Sequence, residues 1–245
     1  MHTDIVDLRE FYASPLGQNS SRSIVLALLT FWTKSNQERL LGFGYTTPIL
    51  DRFKVDAERA IAFMPAAQGA VNWPRGEPSA TAMVFEEDLP LPDSCIDRIV
   101  MMHSLEHAEN PIESLREMWR VLAPGGHLVI VVPNRRGVWA RLEHTPFGTG
   151  RPYSRGQLIR LLRAAMFTPS GWSDALHFPP GKGRFSQRFT TLLERLGRQF
   201  WPAFSGVVIV EATKKLYSGI PATQQRSRRV FIPVLTPQGA ARTIK

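Results

Sequence analysis

Apolar positions along the chain alternate between two rhythms. Short continuous apolar runs have the length of buried strands. Between them, apolar residues recur every three to four positions, as on one face of a helix. Residues 7–12 and 23–34 read as helices, the second with a broad apolar face and Ser20 or Ser21 as its cap. Residues 39–43, 60–64 and 80–85 read as strands, with a helical segment at 49–53 after the first. The clearest stretch is 96–133. "IDRIVMMHSL" is a strand-length apolar run that turns polar at His103. "NPIESLREMWRVL" spaces Ile112, Leu115, Met118, Trp119 and Leu122 as an amphipathic helix. Asn110 suits its N-cap and Pro111 its first position. "APGG" stops it, with Gly125 or Gly126 free to take positive φ, and "HLVIVVP" reads as a strand buried on both faces that ends at Pro133. Residues 155–166 and 190–200 predict two more helices, and 206–217 a closing strand.

Strands alternating with helices in this way predict an α/β fold: a doubly wound, mostly parallel, Rossmann-like sheet of about seven strands with helices on both faces. Residues 1–217 are expected to form one domain, with 1–36 as a helical lid at its N-terminus. Residues 218–245 contain clustered Arg226, Arg228 and Arg229 and no acidic side chain, and predict a basic, flexible tail.

Composition narrows the chemistry. The 43% hydrophobic and 21% charged content of the 245 residues exclude a disordered or fibrous chain. A single cysteine, Cys95, excludes an internal disulfide and a cysteine-based zinc site; no metal is expected, and a reducing compartment fits. The longest apolar run near the N-terminus, 24–32, is too short for a membrane span. Asp4, Asp7 and Glu10 before it are unlike a secretory signal, so a cytoplasmic location is expected. The net charge of +9 is uneven: residues 1–132 carry 11 basic and 17 acidic side chains, residues 133–245 carry 19 and 4. A basic half can attract an anionic small molecule or a nucleic acid, or be a solvated face.

Between residues 86 and 134 five short features occur in order. They are Leu89-Pro90, Asp97 at the start of the fourth strand, Leu105-Glu106-His107, Glu117 with "RVLAPGG" (Arg120 to Gly126), and the apolar strand from Leu128 to Val132. In this order they resemble the type-11 branch of the class I S-adenosylmethionine-dependent methyltransferases. The resemblance implies that fold, S-adenosylmethionine as cofactor with S-adenosylhomocysteine as product, and a cofactor site at the carboxyl ends of the first strands. It places Gly42, Phe43, Gly44, Tyr45, Met64, Pro65, Glu86, Glu87, His103 and Ser104 along the cofactor. The front end departs from the family pattern, an acidic residue and a glycine-rich turn of the form D/E-x-G-x-G-x-G. In "LLGFGYTTPIL", Gly42 takes the acidic position if Gly44 is the first glycine, and Leu40 takes it if Gly42 and Gly44 are the first two. Neither register restores the carboxylate. At the end of the second strand Met64 and Pro65 stand where the family keeps another, and Phe85 holds the place of an aspartate after the third.

Methyl transfer asks an enzyme mainly for positioning and a dry site, with a base only where the nucleophile arrives protonated. His103, at the end of the fourth strand, and His107 are the candidate bases, with structural roles as their plainer reading. Substrate contact is expected from the stretch 133–158, through Asn134, Arg135, Arg136, Trp139, His144, Tyr153 and Arg155. Its arginines, Arg141 and Arg151 included, offer bidentate donors and its aromatics stacking faces. A loop stapled by ion pairs and aromatic packing is the alternative reading. Tyr12 and Arg22 in the N-terminal lid are weaker candidates. "GKGRFSQR" (181–188) lacks the strand and residue order of a phosphate loop. The expected function is methyl transfer to a small or medium, anionic or aromatic acceptor. The alternative is a non-catalytic binding or regulatory protein on the same fold. A nucleic-acid role has only the basic half in its favour, and the oligomeric state is left open.

Overall fold

A computed structural model describes residues 4–32, 37–180 and 205–216. The helix expected at 190–200, the stretch at 181–188, Lys34 and the tail at 218–245 lie outside the described residues.

The described chain forms helices α1 (Ile5–Ala13) and α2 (Pro15–Leu28), then β1 (Arg39–Gly44), α3 (Thr47–Phe53), β2 (Arg59–Pro65), β3 (Thr81–Val84) and β4 (Ile96–Met102). These are followed by α4 (Pro111–Val121), β5 (Leu122–Pro133), α5 (Arg155–Ala164), β6 (Thr168–Ala175) and β7 (Val207–Thr213). The sheet runs β3-β2-β1-β4-β5-β7-β6, with the first five strands parallel and β7 antiparallel to both neighbours. The chain therefore reverses direction across the sheet between β1 and β4, the switch point at which ligands of doubly wound sheets bind.

Strands β1, β4 and β5 read as near-continuous apolar runs because helices cover both of their faces. Leu40, Met64, Val100, Val129 and Ile209 pack into one core beneath α1, α2 and α3. Leu41, Phe43, Ile99, Ile130 and Val210 pack into the other, beneath α4 and α5. The strand missed from sequence is β6. "TPSGWSDA" lacks an apolar run because it is an edge strand, paired only with β7.

Local capping differs in two places from the sequence expectation. Helix α2 starts earlier, at Pro15, and its cap is Ser14, whose hydroxyl accepts from Gly17 N, so Ser20 and Ser21 are interior to it. Asn110 occupies the cap position of α4 without a side-chain cap bond, donating instead to Glu87. The helix stops at Val121 and the "APGG" residues begin β5, where Gly125 takes φ +77°.

Three carboxylates outside the ligand-facing edge hold elements together. Asp97 accepts from the backbone N–H and guanidinium of Arg39, tying the starts of β1 and β4. Glu117 accepts from Arg120 and from Leu89 N, and Glu211 lies 3.0 Å from His127 Nδ1. Their hydrogen-bonding partners, Arg39, Arg120 and His127 respectively, hold each below its ordinary pKa. A depressed carboxylate stabilises the fold above its unfolded pKa, and that contribution is lost as pH falls through the folded value. Melting temperature should therefore decline below about pH 4, the ordinary carboxylate range. Asp97→Asn should lower it at pH 7 and make the remaining acid decline shallower. Thermal melts from pH 3 to pH 7 read both, and an unchanged acid slope in the variant would show that Asp97 does not contribute.

Candidate functional site

Strand β1 leaves the sheet through Gly42 and Gly44. A Cβ at Gly42 would lie 2.2 Å from Thr46 Oγ1 and 2.5 Å from Leu50, so the absent side chain lets α3 pack directly on β1. Gly44 has φ +81°, and a Cβ there would lie 2.2 Å from the carbonyl oxygen of Met102 at the end of β4. Only glycine fits a left-handed turn so close to a neighbouring strand. Leu40 and Met64 are buried core residues, and Met64 Sδ lies 3.4 Å from Val71 N. Neither register of the turn brings a carboxylate to the end of β1, and β2 ends without one too. Phe43 points to the opposite face, into the core beneath α4 and α5.

Helix α1 lies across this edge. Its first turn is capped by Asp4 and tied to the turn after β2 by Ile5 N, which donates to Gln68 O at 3.0 Å. Tyr12 stacks on Tyr45, with ring centroids 5.5 Å apart, and its hydroxyl lies 2.8 Å from His103 Nε2. Burial pushes the Tyr12 and Tyr45 hydroxyls above their ordinary pKa, so both remain protonated. His103 follows β4 directly, with φ +54°, and is 1% exposed.

Around this edge several buried polar atoms have no hydrogen-bond partner among the described residues. They are Thr46 Oγ1 after β1, Gln68 Oε1 after β2, and His103 Nδ1, Ser104 Oγ and both Glu106 oxygens after β4. The Gln68 amide donates to the His103 carbonyl, fixing the two turns together. The Glu106 side chain is 1% exposed, and its Oε1 lies 3.4 Å from His103 Nδ1, within ion-pair range but without hydrogen-bond geometry. Each buried polar group left without a partner costs about 1–3 kcal/mol. Others lie scattered elsewhere, at Trp32, Ser114 and Trp119 for example, but six gather at this one edge, an arrangement that suits a polar ligand.

The loop after β5 closes on itself at its base. Arg135 N donates to Tyr153 O, and Tyr153 N to Pro133 O. Trp139 is a staple of this loop: it is 1% exposed, donates its indole N–H to Phe178 O, and meets Phe147 and Phe178 edge-on. Tyr153 is buried too, donating to Leu105 O, with its pKa pushed up to about 12, first by burial and then by Glu106. Phe147 continues the contact to His103, ring centroids 4.8 Å apart. The two aromatics expected at the substrate are thus buried, holding the loop to Phe178 and to the turn after β4.

The arginines expected to act together are divided. Arg136 and Arg155 border a cavity of about 500 Å³ with Asn134 and Asp174, where Arg155 pairs with Asp174 at 2.5 Å. Arg135 and Arg22 are exposed and line neither cavity described here. A larger cavity, about 950 Å³, opens between α1, the turn after β4 and residues 143–151, and takes in His107, His144 and Arg151. Glu86 is half-buried, its pKa raised by burial and then by Glu87, which is exposed and accepts from Asn110. Sequence reasoning passed over Gln68 and Thr46, whose polar side chains gave no motif, and gave Glu106 no site role. The sequence position of Glu106 gave no sign of its burial; the backbone of Gly150 (φ +76°) packs so closely there that a Cβ would lie 2.7 Å from the Glu106 carbonyl oxygen.

Comparison with known proteins agrees with this geometry. The family model "Methyltransferase domain" matches residues 56–130. Demethylmenaquinone methyltransferase of Chlamydia trachomatis is 41% identical over 63 residues, 24% of this chain and 28% of that protein. The chain thus spans little more than a quarter of that relative's length. Among solved structures, an Archaeoglobus fulgidus SAM-dependent methyltransferase superposes with a TM-score of 0.58 at 14% identity, covering 80% of this chain and 95% of its own. The Burkholderia thailandensis 1,6-didemethyltoxoflavin-N1-methyltransferase, solved with its substrate and S-adenosylhomocysteine, gives 0.52 at 16% identity over 80% and 78%. No helix among the described residues is long and apolar enough to cross a membrane. By its strand order and flanking helices the chain has the Rossmann-like fold of these methyltransferase structures, and its central segment, residues 56–130, matches the methyltransferase-domain model.

Proposed function

We propose that the chain is a methyltransferase that uses S-adenosylmethionine and grips it without the usual carboxylates. The observation that carries this reading is the set of buried polar atoms without hydrogen-bond partners, Thr46, Gln68, His103, Ser104 and Glu106, gathered where β1, β2 and β4 end. The bound cofactor would supply an electrophilic methyl group on a sulfonium. The left-handed turn at Gly44 would present the backbone to it, and Thr46, Gln68 and Ser104 would satisfy its hydroxyl and amino groups. Glu106 is the one buried carboxylate of this set, and it also lines the neighbouring cavity. Tyr12 and Tyr45 exclude water from above, and α1 must lift for anything to enter, since their stack covers the turn. His103 is oriented between the Tyr12 hydroxyl and Glu106, which suits a positioning role. The acceptor would occupy the 950 Å³ cavity on the far side of Glu106.

A second reading is a methyltransferase fold that binds without transferring methyl groups. It is favoured by Leu40 and Met64 at the anchor positions and by the Tyr12–Tyr45 stack over the glycine turn. The expected location in the cytoplasm belongs with either reading.

Calorimetric titration with S-adenosylhomocysteine should give a dissociation constant in the micromolar range, and no heat at millimolar concentration would overturn the first reading in favour of the second. Two conservative variants sharpen the test. Thr46→Val and Ser104→Ala replace polar atoms that have no partner in the free protein, so melting temperature should hold or rise by a degree or two. Cofactor affinity should nevertheless fall by about threefold to tenfold in each, the worth of roughly one hydrogen bond. Variants that lose stability but keep full affinity would show these hydroxyls to be structural.

A further inference from the structure

The acceptor cavity has a charge opposite to that of the chain as a whole. Asp7 and Glu10 face it from α1, Glu106 from the turn after β4, and Glu143 from the loop after β5, against the single guanidinium of Arg151. Asp7, Glu10 and Glu143 make no side-chain ion pair among the described residues, so their charge is not cancelled within the wall. Exposed carboxylates alone would mean little. Glu106 differs: it lines the same cavity, its side chain is 1% exposed, and neither oxygen has a hydrogen-bond donor. A carboxylate buried without donors is expensive, and the ligand best able to offset it is one bearing several N–H donors and a positive charge. Phe11, half-buried on the same wall, offers an apolar and π-electron surface for the body of such a ligand.

We propose that this cavity binds a protonated amine, its ammonium on Glu106 and its apolar body along Phe11. Asp7, Glu10 and Glu143 at the mouth attract the cation, and Glu106 accepts its N–H hydrogen bonds. That the amine is the methyl acceptor rests on the methyltransferase reading above; that the cavity binds it does not. The expectation of an anionic acceptor, drawn from the arginines after β5, fits this cavity poorly, because Arg136 and Arg155 border the other one.

The full chain is titrated with 2-phenylethylamine, 2-phenylethanol and phenylacetate, which share a ring and chain length and differ in charge, followed by ligand-observed NMR or calorimetry. The amine should bind at least about tenfold more tightly than the alcohol, as expected for one charge-assisted hydrogen bond. Phenylacetate should bind least. Glu106→Gln should remove most of that preference. The surface double variant Glu10→Gln/Glu143→Gln leaves the core untouched and should weaken amine binding by about twofold to fivefold, an effect that shrinks at high salt. Binding of the alcohol or the acid as tightly as the amine would overturn the proposal, and so would unchanged amine affinity in the double variant. Saturating S-adenosylhomocysteine should leave amine binding in place, and competition between them would overturn the placement of the amine in a separate cavity. Amine binding without any S-adenosylhomocysteine binding would leave the cation site standing and remove the methyltransferase reading.

Discussion

Strands β1 and β4 end side by side, and the backbone leaving β1 must turn in the space that the carbonyl of Met102 already borders. Gly44 resolves this by taking φ +81° with no Cβ to strike that carbonyl. The ligand-facing edge follows from this turn. It sends Tyr45 up under α1, where Tyr12 stacks on it, and it leaves room for His103 to take its own positive φ and reach the Tyr12 hydroxyl. Gln68 then binds the His103 carbonyl, so the turns after β2 and β4 are fixed to one another, and Ile5 N on Gln68 O ties them to α1. A side chain at position 44 would push apart the two strands on which these contacts depend. Gly44 and Gly150 are the described glycines whose close approach and positive φ both bear on the candidate site.

Much of the fold was legible because the parallel strands are buried on both faces. A run such as "HLVIVVP" has no polar face to show, and its apolar continuity distinguishes it from the amphipathic α4 before it. The edge strand β6 escaped for the opposite reason: its residues are half-buried and mixed in character, and its pairing with β7 depends on a register no local pattern encodes. The cap of α2 was misplaced because Ser20 and Ser21 resemble cap residues, whereas Pro15 after Ser14 is the stronger start signal.

The site was legible by type and not by assembly. Gly42, Gly44 and His103 were read at the ends of β1 and β4, where the structure has them, because strand ends are set by the same apolar pattern that defines the strands. Trp139 and Tyr153 were read as substrate-facing because aromatic rings in a long loop suit binding, yet that loop has few other apolar groups with which to hold its shape. Trp139, Phe147 and Phe178 form a ladder of edge-on contacts that does so. The loop is therefore stapled by its aromatics, and it meets the cavity through the polar residues that remain, Glu143, His144 and Arg151.

Charge illustrates the same limit more sharply. A net charge of +9 describes the long-range field and says nothing of the sign inside a cavity a few ångströms across. Among the described arginines after β5, Arg135 is exposed, Arg155 pairs with Asp174 and only Arg151 lines the larger cavity, whose acidic residues come from three segments far apart in sequence. Asp7 and Glu10 arrive on α1, Glu106 after β4 and Glu143 in the loop after β5. No local window contains them together. Only the placement of α1 across the carboxyl edge, fixed by Tyr12 on Tyr45 and His103, makes them neighbours. The contact that covers the glycine turn is therefore also the one that gives the adjoining cavity its negative wall.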